Sequence, residues 1–121
     1  MQEYKVKFFA DPKNGHNPVR EYLDKISDKE RQKILKYIEF LREHQGVLDE
    51  PYTKHIRNKV RELRVDFGRN RHRVFFFTFV GRNIILLHAF LKKTSQTPES
   101  EITKAFNNYY KVLSNSKLYE E

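Results

Sequence analysis

The alternation of apolar and polar residues predicts four β-strands in this 121-residue chain. The first covers residues 4–9, where apolar and polar positions alternate. Three more follow closely at residues 60–67, 72–80 and 83–91, and short glycine-containing segments join them. Loops this short cannot form parallel crossovers, so we expect these three strands to form an antiparallel meander.

Helical periodicity predicts an N-terminal pair of helices between the first two strands. Asn17 as N-cap and Pro18 at the first helical position begin a short amphipathic helix. Ser27 and Glu30 form a capping box for a second helix, which Gly46 ends. The buried stripes are expected at Val19, Tyr22, Leu23 and Ile26 in the first helix, and at Ile34, Leu35, Ile38 and Leu41 in the second.

A last helix is expected after Thr97, its N-cap, and Pro98. Its apolar stripe comprises Ile102, Ala105, Phe106, Tyr109 and Leu113, and Tyr110 is also expected in the helix core. Residues 47–59 are polar and receive no element. The order β-α-α-β-β-β-α predicts an α+β sandwich: a twisted antiparallel sheet, an N-terminal helical hairpin on one face and a C-terminal helix. We expect a single domain over residues 1–121.

The residue types exclude several kinds of site. The chain has no Cys, so it has neither disulfides nor thiolate metal sites, which fits a reducing compartment. No signal peptide and no membrane-length apolar run are recognisable, and we expect a cytoplasmic protein. The five histidines lack metal-ligand spacing, so we expect no metal and no cofactor.

The positive charge is concentrated in one segment. The chain carries a formal net charge of +8, and residues 54–73 contain most of this excess, with Glu62 and Asp66 as their only acids. Such a distribution favours a polyanionic partner, either nucleic acid or an acidic protein. The alternative is an ordinary solvated basic face.

Arg64 and Arg73 form a candidate anion-binding pair. If the apolar residues of its strand face the core, Arg64 points to the other sheet face, and Arg73 begins the neighbouring strand. Two adjacent guanidinium groups repel each other, but together they can grip a phosphodiester through bidentate hydrogen bonds. The alternative is that Arg64 pairs with Glu62 or Asp66 while Arg73 extends its charged end to solvent.

Lys92 and Lys93 end the last strand, close to the expected position of Arg73. One lysine should point to each sheet face, so one of them would serve a given site. The alternative is a gatekeeper role that protects an apolar strand from aggregation. His88, inside the same strand, is more typical of a hydrogen-bonded core residue than of a catalyst.

Several motifs together resemble a known family. They are "EPYTKH" (50–55), "ELR" (62–64), the Arg73-Val-Phe-Phe strand, "LLHAF" (86–90), "KKTSQTP" (92–98) and "EI..A" (101–105). Over about residues 4–112 the chain resembles the phage-derived Gp49-like, HigB-like toxins of the RelE/ParE superfamily. The resemblance implies a RelE-like microbial ribonuclease fold and the toxin half of a type II toxin-antitoxin pair. Such a toxin cuts mRNA on the ribosome and is inhibited by its antitoxin, here a HigA-like helix-turn-helix protein.

The resemblance also implies roles for individual residues. Arg64 and Arg73 would bind the scissile phosphate, and Lys92 or Lys93 would stabilise the charge that develops on it. His55 is the candidate proton carrier. The implied RNA contacts are Lys54, Arg57, Lys59, Arg61, Arg71 and His88. The reaction would be attack by the RNA 2′-hydroxyl on the adjacent phosphate, which relies mainly on positioning and electrostatics.

The chain differs from better-known RelE members at two points, and two other functions remain possible alternatives. Better-known RelE members carry lysines along the second strand, where this chain has Glu62, and their late tyrosine has no clear counterpart. A ParE-like inhibitor of DNA gyrase would share the fold. A non-catalytic nucleic-acid-binding module would show salt-sensitive binding without cleavage. The antitoxin could neutralise the basic face directly or dock on the helices.

Overall fold

The structure, a computed structural model, describes residues 3–79 and 81–120. Its strands are β1 (Lys5–Phe8), β2 (Thr53–Arg57), β3 (Val60–Phe67), β4 (Asn70–Phe79) and β5 (Asn83–Lys92). Its helices are α1 (Pro18–Lys25), α2 (Asp28–Glu43) and α3 (Glu99–Ser114), followed by a 3₁₀ turn at Ser116–Leu118. The predicted α+β class, helical hairpin and C-terminal helix are confirmed. The end of the predicted strand at Val80 lies outside the described residues.

The five strands form a mixed sheet in the order β1-β5-β4-β3-β2. The expectation of a purely antiparallel sheet is wrong for β1, which pairs in parallel with β5. Most of the chain separates these two strands, so the connection is long enough for a parallel crossover. The polar edge strand β2 was also not expected, because its residues lack the apolar alternation that marks a half-buried strand.

Helices cover both faces of the sheet. The helices α1 and α2 pack on one face, called the hairpin face, over a core that includes Ile34, Leu63, Val65, Val74 and Leu86. Helix α3 packs on the other, called the α3 face, over a core that includes Phe75, Phe77, Ile85, Leu87 and Val112. This sandwich leaves polar side chains at one end of the α3 face.

A β-bulge in β5 determines which side chains reach that end. Phe75 pairs with His88 while Phe76 pairs with Leu86, so Leu87 has no residue opposite it. The extra residue shifts the alternation of all later positions in β5 by one. Phe90 therefore packs in the core of the α3 face, and Lys92, two residues further on, lies on the same face.

The helix boundaries follow their capping residues, with one exception. The side chains of Asn17 and Ser27 accept hydrogen bonds from backbone N–H groups in the first turns of α1 and α2, as expected. The expectation that Thr97 caps α3 is wrong, because Pro98 occupies the N-cap position. The Thr97 hydroxyl instead donates a hydrogen bond to Glu62 Oε2 at 2.8 Å.

Three residues assigned to the apolar stripes are exposed instead. Leu35 on α2, together with Tyr110 and Leu113 on α3, leaves more than two fifths of its surface accessible. Each lies at the margin of its stripe, and the adjacent Val112 is buried where Leu113 was expected. A sheet face buries a narrower arc of these helices than the apolar residues span.

A buried hydrogen-bond network connects the helical hairpin to β4. His72 is 1% exposed, with Nε2 2.8 Å from Glu30 Oε1 and Nδ1 2.7 Å from the Tyr22 hydroxyl. An ionised Glu30 requires a proton on Nε2, so Nδ1 of a neutral ring accepts from Tyr22. Hydrogen bonds from Ser27, Asn70 and His72 lower the pKa of Glu30 from 4.5 to about 2. Burial, with the Glu30 charge, raises the pKa of Tyr22 to about 12.

Candidate nucleic-acid interface

Two arginines stand directly opposite each other on neighbouring strands. Arg64 in β3 pairs with Arg73 in β4, and Arg73 pairs in turn with Phe90 of β5. Directly paired residues share a sheet face, so both arginines lie on the α3 face. The next row on that face places Asp66, Arg71 and Lys92 side by side.

These side chains line a cleft of about 570 Å³ at the end of the sheet. This site, the basic cleft, is lined by Lys33, Tyr37, Pro51, Tyr52, Arg64, Asp66, Arg71, Arg73, Lys92 and Ser95. Five of these residues are basic and one is acidic, so the lining attracts anions.

A buried carboxylate lies behind the two arginines. Glu62 is fully buried, and its Oε1 is 3.8 Å from Arg64 Nε and 3.9 Å from Arg73 Nε. These distances are too long for hydrogen bonds, and neither Oε1 nor either Nε has a hydrogen-bond partner among the described residues. The single negative charge of Glu62 therefore offsets the repulsion between the arginines without occupying their hydrogen-bonding capacity.

Arg73 is 3% exposed and is held in one orientation. Its Nη1 donates to Asp66 Oδ1 at 2.8 Å and to the His72 carbonyl at 3.0 Å. The charged end of Arg73 does not extend to solvent, so that part of the alternative interpretation is wrong. Arg64 does lie near Glu62, as the same alternative predicted. The Asp66 side chain is 63% exposed, so water or a ligand can replace it.

Lys92 contributes a charge with no close neutralising partner. It is 8% exposed, and among residues 3–79 and 81–120 no carboxylate lies within 4 Å of its ammonium group. Burial, followed by the nearby charge of Arg73, lowers the pKa of Lys92 below its usual value. A bound anion would offset both effects, because a nearby opposite charge favours the protonated amine.

Lys93 and His55 do not line the basic cleft. Lys93 is exposed and lines an adjoining cavity of about 430 Å³ together with Arg69, Arg71 and Lys92. His55 pairs across the β2–β3 ladder with Arg61, which places it on the hairpin face. Its Nε2 lies 2.7 Å from the Asn58 carbonyl. The structure therefore groups Lys92 with the arginines and leaves His55 on the opposite sheet face.

The remaining candidates do not line the basic cleft. Lys54 pairs with Glu62 on the α3 face, and its charge acts on Lys92. Arg57 forms an exposed ion pair with Glu99 at 2.7 Å, and Arg61 donates to the Thr53 hydroxyl at 3.0 Å. Lys59 is exposed in the turn between β2 and β3.

His88 is a hydrogen-bonded residue within the α3-face core. Its ring stacks on Phe75 and Phe90, and Nε2 is 2.6 Å from Glu101 Oε1 in the first turn of α3. Burial lowers the pKa of His88, although Glu101 acts in the opposite direction. The residue connects β5 to α3 beside the cleft.

Two tyrosines at the cleft were not recognised from the sequence. The Tyr52 carbonyl accepts a hydrogen bond from the Arg64 backbone N–H at 2.8 Å, which fixes Tyr52 beside Arg64 at the sheet edge. Tyr37 reaches the cleft from α2, with the rings of Tyr37 and Tyr52 6.0 Å apart. Recognising β2 as a strand would have placed Tyr52 next to Arg64.

Across residues 3–79 and 81–120, no group of three or more His, Asp or Glu side chains could hold a metal ion. Within the same residues, no helix has the length and apolar character needed to cross a membrane.

Comparison with known proteins identifies one family. The family described as "Phage derived protein Gp49-like (DUF891)" matches residues 21–110, about three quarters of the chain. The matched segment includes α2, all strands except β1, and most of α3. No curated protein matches the chain.

Proposed function

The chain belongs to the Gp49-like family, which is associated with RelE/HigB-like toxins, and we propose that it is an mRNA endoribonuclease. In this proposal it is the toxin of a type II toxin-antitoxin pair, acts on mRNA at the ribosome in the cytoplasm, and stops translation. The observation that carries the proposal is the convergence of Arg64, Arg73 and Lys92 in the basic cleft.

The cleft has the features that phosphodiester cleavage needs. Two guanidinium groups on adjacent strands can bind two non-bridging oxygens of one phosphate. The Nε atoms of both arginines are buried beside Glu62, so a phosphate would contact their terminal nitrogens. Strands and a buried carboxylate hold them in place, so little reorganisation is needed as charge develops.

The proposed reaction is a transesterification within the RNA chain. The RNA 2′-oxygen forms a bond to the adjacent phosphorus while the bond from phosphorus to the 5′-oxygen breaks, which leaves a 2′,3′-cyclic phosphate. The 2′-hydroxyl loses one proton to solvent, and the departing 5′-oxygen takes one from solvent. Arg64 and Arg73 hold the phosphate, and Lys92 stabilises the extra negative charge of the phosphorane.

Between the two lysines, Lys92 is the better candidate for this role. It lies on the face that carries Arg73, and no carboxylate among the described residues neutralises it at close range. Lys93 is exposed outside the basic cleft. His55 lies on the hairpin face and does not line the basic cleft, so the proposed reaction does not use it as a proton carrier.

The experiment compares two adjacent lysines, of which one is buried in the basic cleft and the other is exposed outside it. Lys92→Met and Lys93→Met each remove one ammonium group and retain a flexible side chain of similar length. We expect Lys92→Met to slow RNA cleavage by about 10²- to 10³-fold, and Lys93→Met to remain within about threefold, since exposed charges contribute little. The measurement is the cleavage rate of a defined mRNA on ribosomes, with 5′ ends mapped. A 2′-deoxy substitution at the cut site should abolish cleavage.

Other outcomes would contradict the proposal. DNA breaks with intact mRNA after induction would indicate gyrase poisoning. RNA binding without cleavage would indicate a non-catalytic module. Equal effects of the two lysine variants would remove Lys92 from the proposed chemistry.

A toxin of this kind also requires an antitoxin. The family association supports such a partner, and the basic cleft would accept an acidic segment of it. The proposed partner is a helix-turn-helix protein of the HigA type, encoded beside this chain.

A further inference from the structure

An aromatic surface continues directly from the basic cleft. Tyr37 and Tyr52 line the cleft and also a second cavity of about 460 Å³, whose other lining residues are Lys36, Glu39, Phe40 and Glu43. The three aromatic residues, Tyr37, Phe40 and Tyr52, form the aromatic shelf. Tyr52 lies at its centre, with ring centroids 6.0 Å from those of both Tyr37 and Phe40.

The rings of the shelf are accessible and held in place. Tyr52 is 41% exposed and Phe40 is 37% exposed. The edge-to-face contacts among the rings fix their orientation, and the backbone hydrogen bond from Arg64 to Tyr52 anchors the shelf to the phosphate-binding pair. Lys33 lies over the Tyr37 ring at 5.7 Å and lines the basic cleft as well.

From this continuity we infer that the aromatic shelf binds unpaired nucleobases of the RNA whose phosphate occupies the basic cleft. Bases adjoining a bound phosphate lie within one nucleotide of it, and aromatic rings are the surfaces on which single-stranded bases stack. A folded duplex would keep its bases paired and inaccessible to the rings. The substrate class is therefore single-stranded RNA with at least one base splayed toward α2. This inference rests on the proposed function and adds the element that binds bases.

The shelf differs from Tyr110, the other exposed aromatic residue in the part of the chain that the structure describes. Tyr110 on α3 is 54% exposed, but its cavity contains Arg57 and none of the residues of the basic cleft. Tyr110 thus provides a matched control: an exposed tyrosine of the same chemistry outside the cleft.

The test uses a double-mutant design with a non-cleavable ligand. Fluorescein-labelled, fully 2′-O-methylated hexanucleotides, with and without one abasic position, are titrated with wild type, Tyr52→Ala, Tyr52→Phe and Tyr110→Ala. We expect Tyr52→Ala to weaken binding of the complete oligonucleotide about tenfold. Tyr52→Phe keeps the ring and should recover most of that loss, and Tyr110→Ala should leave binding unchanged. An abasic site at the stacked position should weaken wild type by the same factor and leave Tyr52→Ala unaffected.

A second measurement leaves the protein unaltered. A 5-iodouridine in the same oligonucleotide should crosslink on irradiation to Tyr52 or Tyr37. If Tyr52→Ala and the abasic site weaken binding by factors that multiply when the two are combined, the inference is overturned. Crosslinks outside the shelf would also overturn it.

The outcomes separate this inference from the proposed function. Coupling between Tyr52 and a base, with no cleavage by wild type, would support the aromatic shelf and overturn the nuclease. Cleavage that depends on Lys92, with binding independent of Tyr52, would support the nuclease and overturn the shelf.

Discussion

The buried carboxylate of Glu62 should be essential for the stability of the site, and the substitution Glu62→Gln tests this. Gln has the same shape and can still accept the hydrogen bond from Thr97, but it removes the negative charge that lies within 4 Å of both Arg64 and Arg73. Their mutual repulsion would then have no buried counter-charge. Removal of one partner from a buried ion pair costs about 3–5 kcal/mol. We expect the lower end, about 3 kcal/mol, since the replacement is isosteric.

Asp66→Asn is the matched control. Asp66 contacts the same arginine at 2.8 Å, but its side chain is 63% exposed, whereas that of Glu62 is fully buried. Exposed ion pairs contribute about 0–1 kcal/mol. The two substitutions remove the same charge from the same partner, Arg73, so the difference between them measures the effect of burial.

Thermal unfolding provides the assay. For a domain of 121 residues, an unfolding entropy of about 2.1 cal/mol/K per residue converts 3 kcal/mol into a fall in Tm of about 12 °C. Asp66→Asn should lower Tm by at most about 4 °C. The buffer should contain little phosphate, because an anion in the basic cleft would stabilise the folded state and mask the effect.

Equal shifts in Tm for the two variants would refute the reasoning, since they would show that the burial of Glu62 has no energetic consequence. A rise in Tm for Glu62→Gln would refute it more strongly. That result would mean that the desolvation of the carboxylate outweighs its attraction to the two arginines.

Two further predictions concern neighbouring hydrogen bonds. The lowered pKa of Glu30, about 2 against an ordinary 4.5, stabilises the fold above pH 4.5, and this contribution is lost as the pH falls toward 2. The stability difference between wild type and Glu30→Gln in urea unfolding should therefore shrink over that range, and a constant difference would contradict the hydrogen-bond network. Thr97→Val removes the hydroxyl that donates to Glu62, so it should cost about 1–2 kcal/mol of unfolding free energy, whereas Thr94→Val, at an exposed hydroxyl, should cost less than about 0.5 kcal/mol.

Local signals were sufficient to predict most of the fold. Asn17 and Ser27 mark helix starts because their side chains satisfy backbone N–H groups that the helix leaves free. Gly68 and Gly81 adopt φ angles of 60° and 75°, which the tight strand connections need. These signals act within a few residues, so they can be recognised without knowledge of the tertiary structure.

Long-range pairing could not be predicted in the same way. Strand β1 pairs in parallel with β5, more than seventy residues away, and nothing in its short sequence specifies that partner. Strand β2 lies at the sheet edge, where polar residues such as Lys54 and His55 are exposed on both faces. The apolar alternation that identifies half-buried strands is therefore absent.

Which lysine joins the arginines depends on a β-bulge that the sequence does not specify. Plain alternation from Ile85 and Leu87 along β5 would place Lys93, and not Lys92, on the α3 face. The bulge at Leu87 reverses this assignment. In a strand with apolar residues on both faces, the sequence contains no periodicity that marks such a shift, so the choice between the two lysines required the structure.

The two carboxylates near Arg73 have different roles. Glu62 stabilises the pair of arginines, whereas Asp66 can be replaced by a ligand. Glu62 is buried and lies behind the arginines, so a ligand entering the basic cleft would not displace it. Asp66 is exposed and occupies Arg73 Nη1 with a single hydrogen bond of 2.8 Å. In the proposed reaction, a phosphate oxygen would replace the carboxylate oxygen of Asp66 while Glu62 continues to hold the arginines together. A cluster of like charges can thus exist in the free protein without losing its capacity to bind a phosphate.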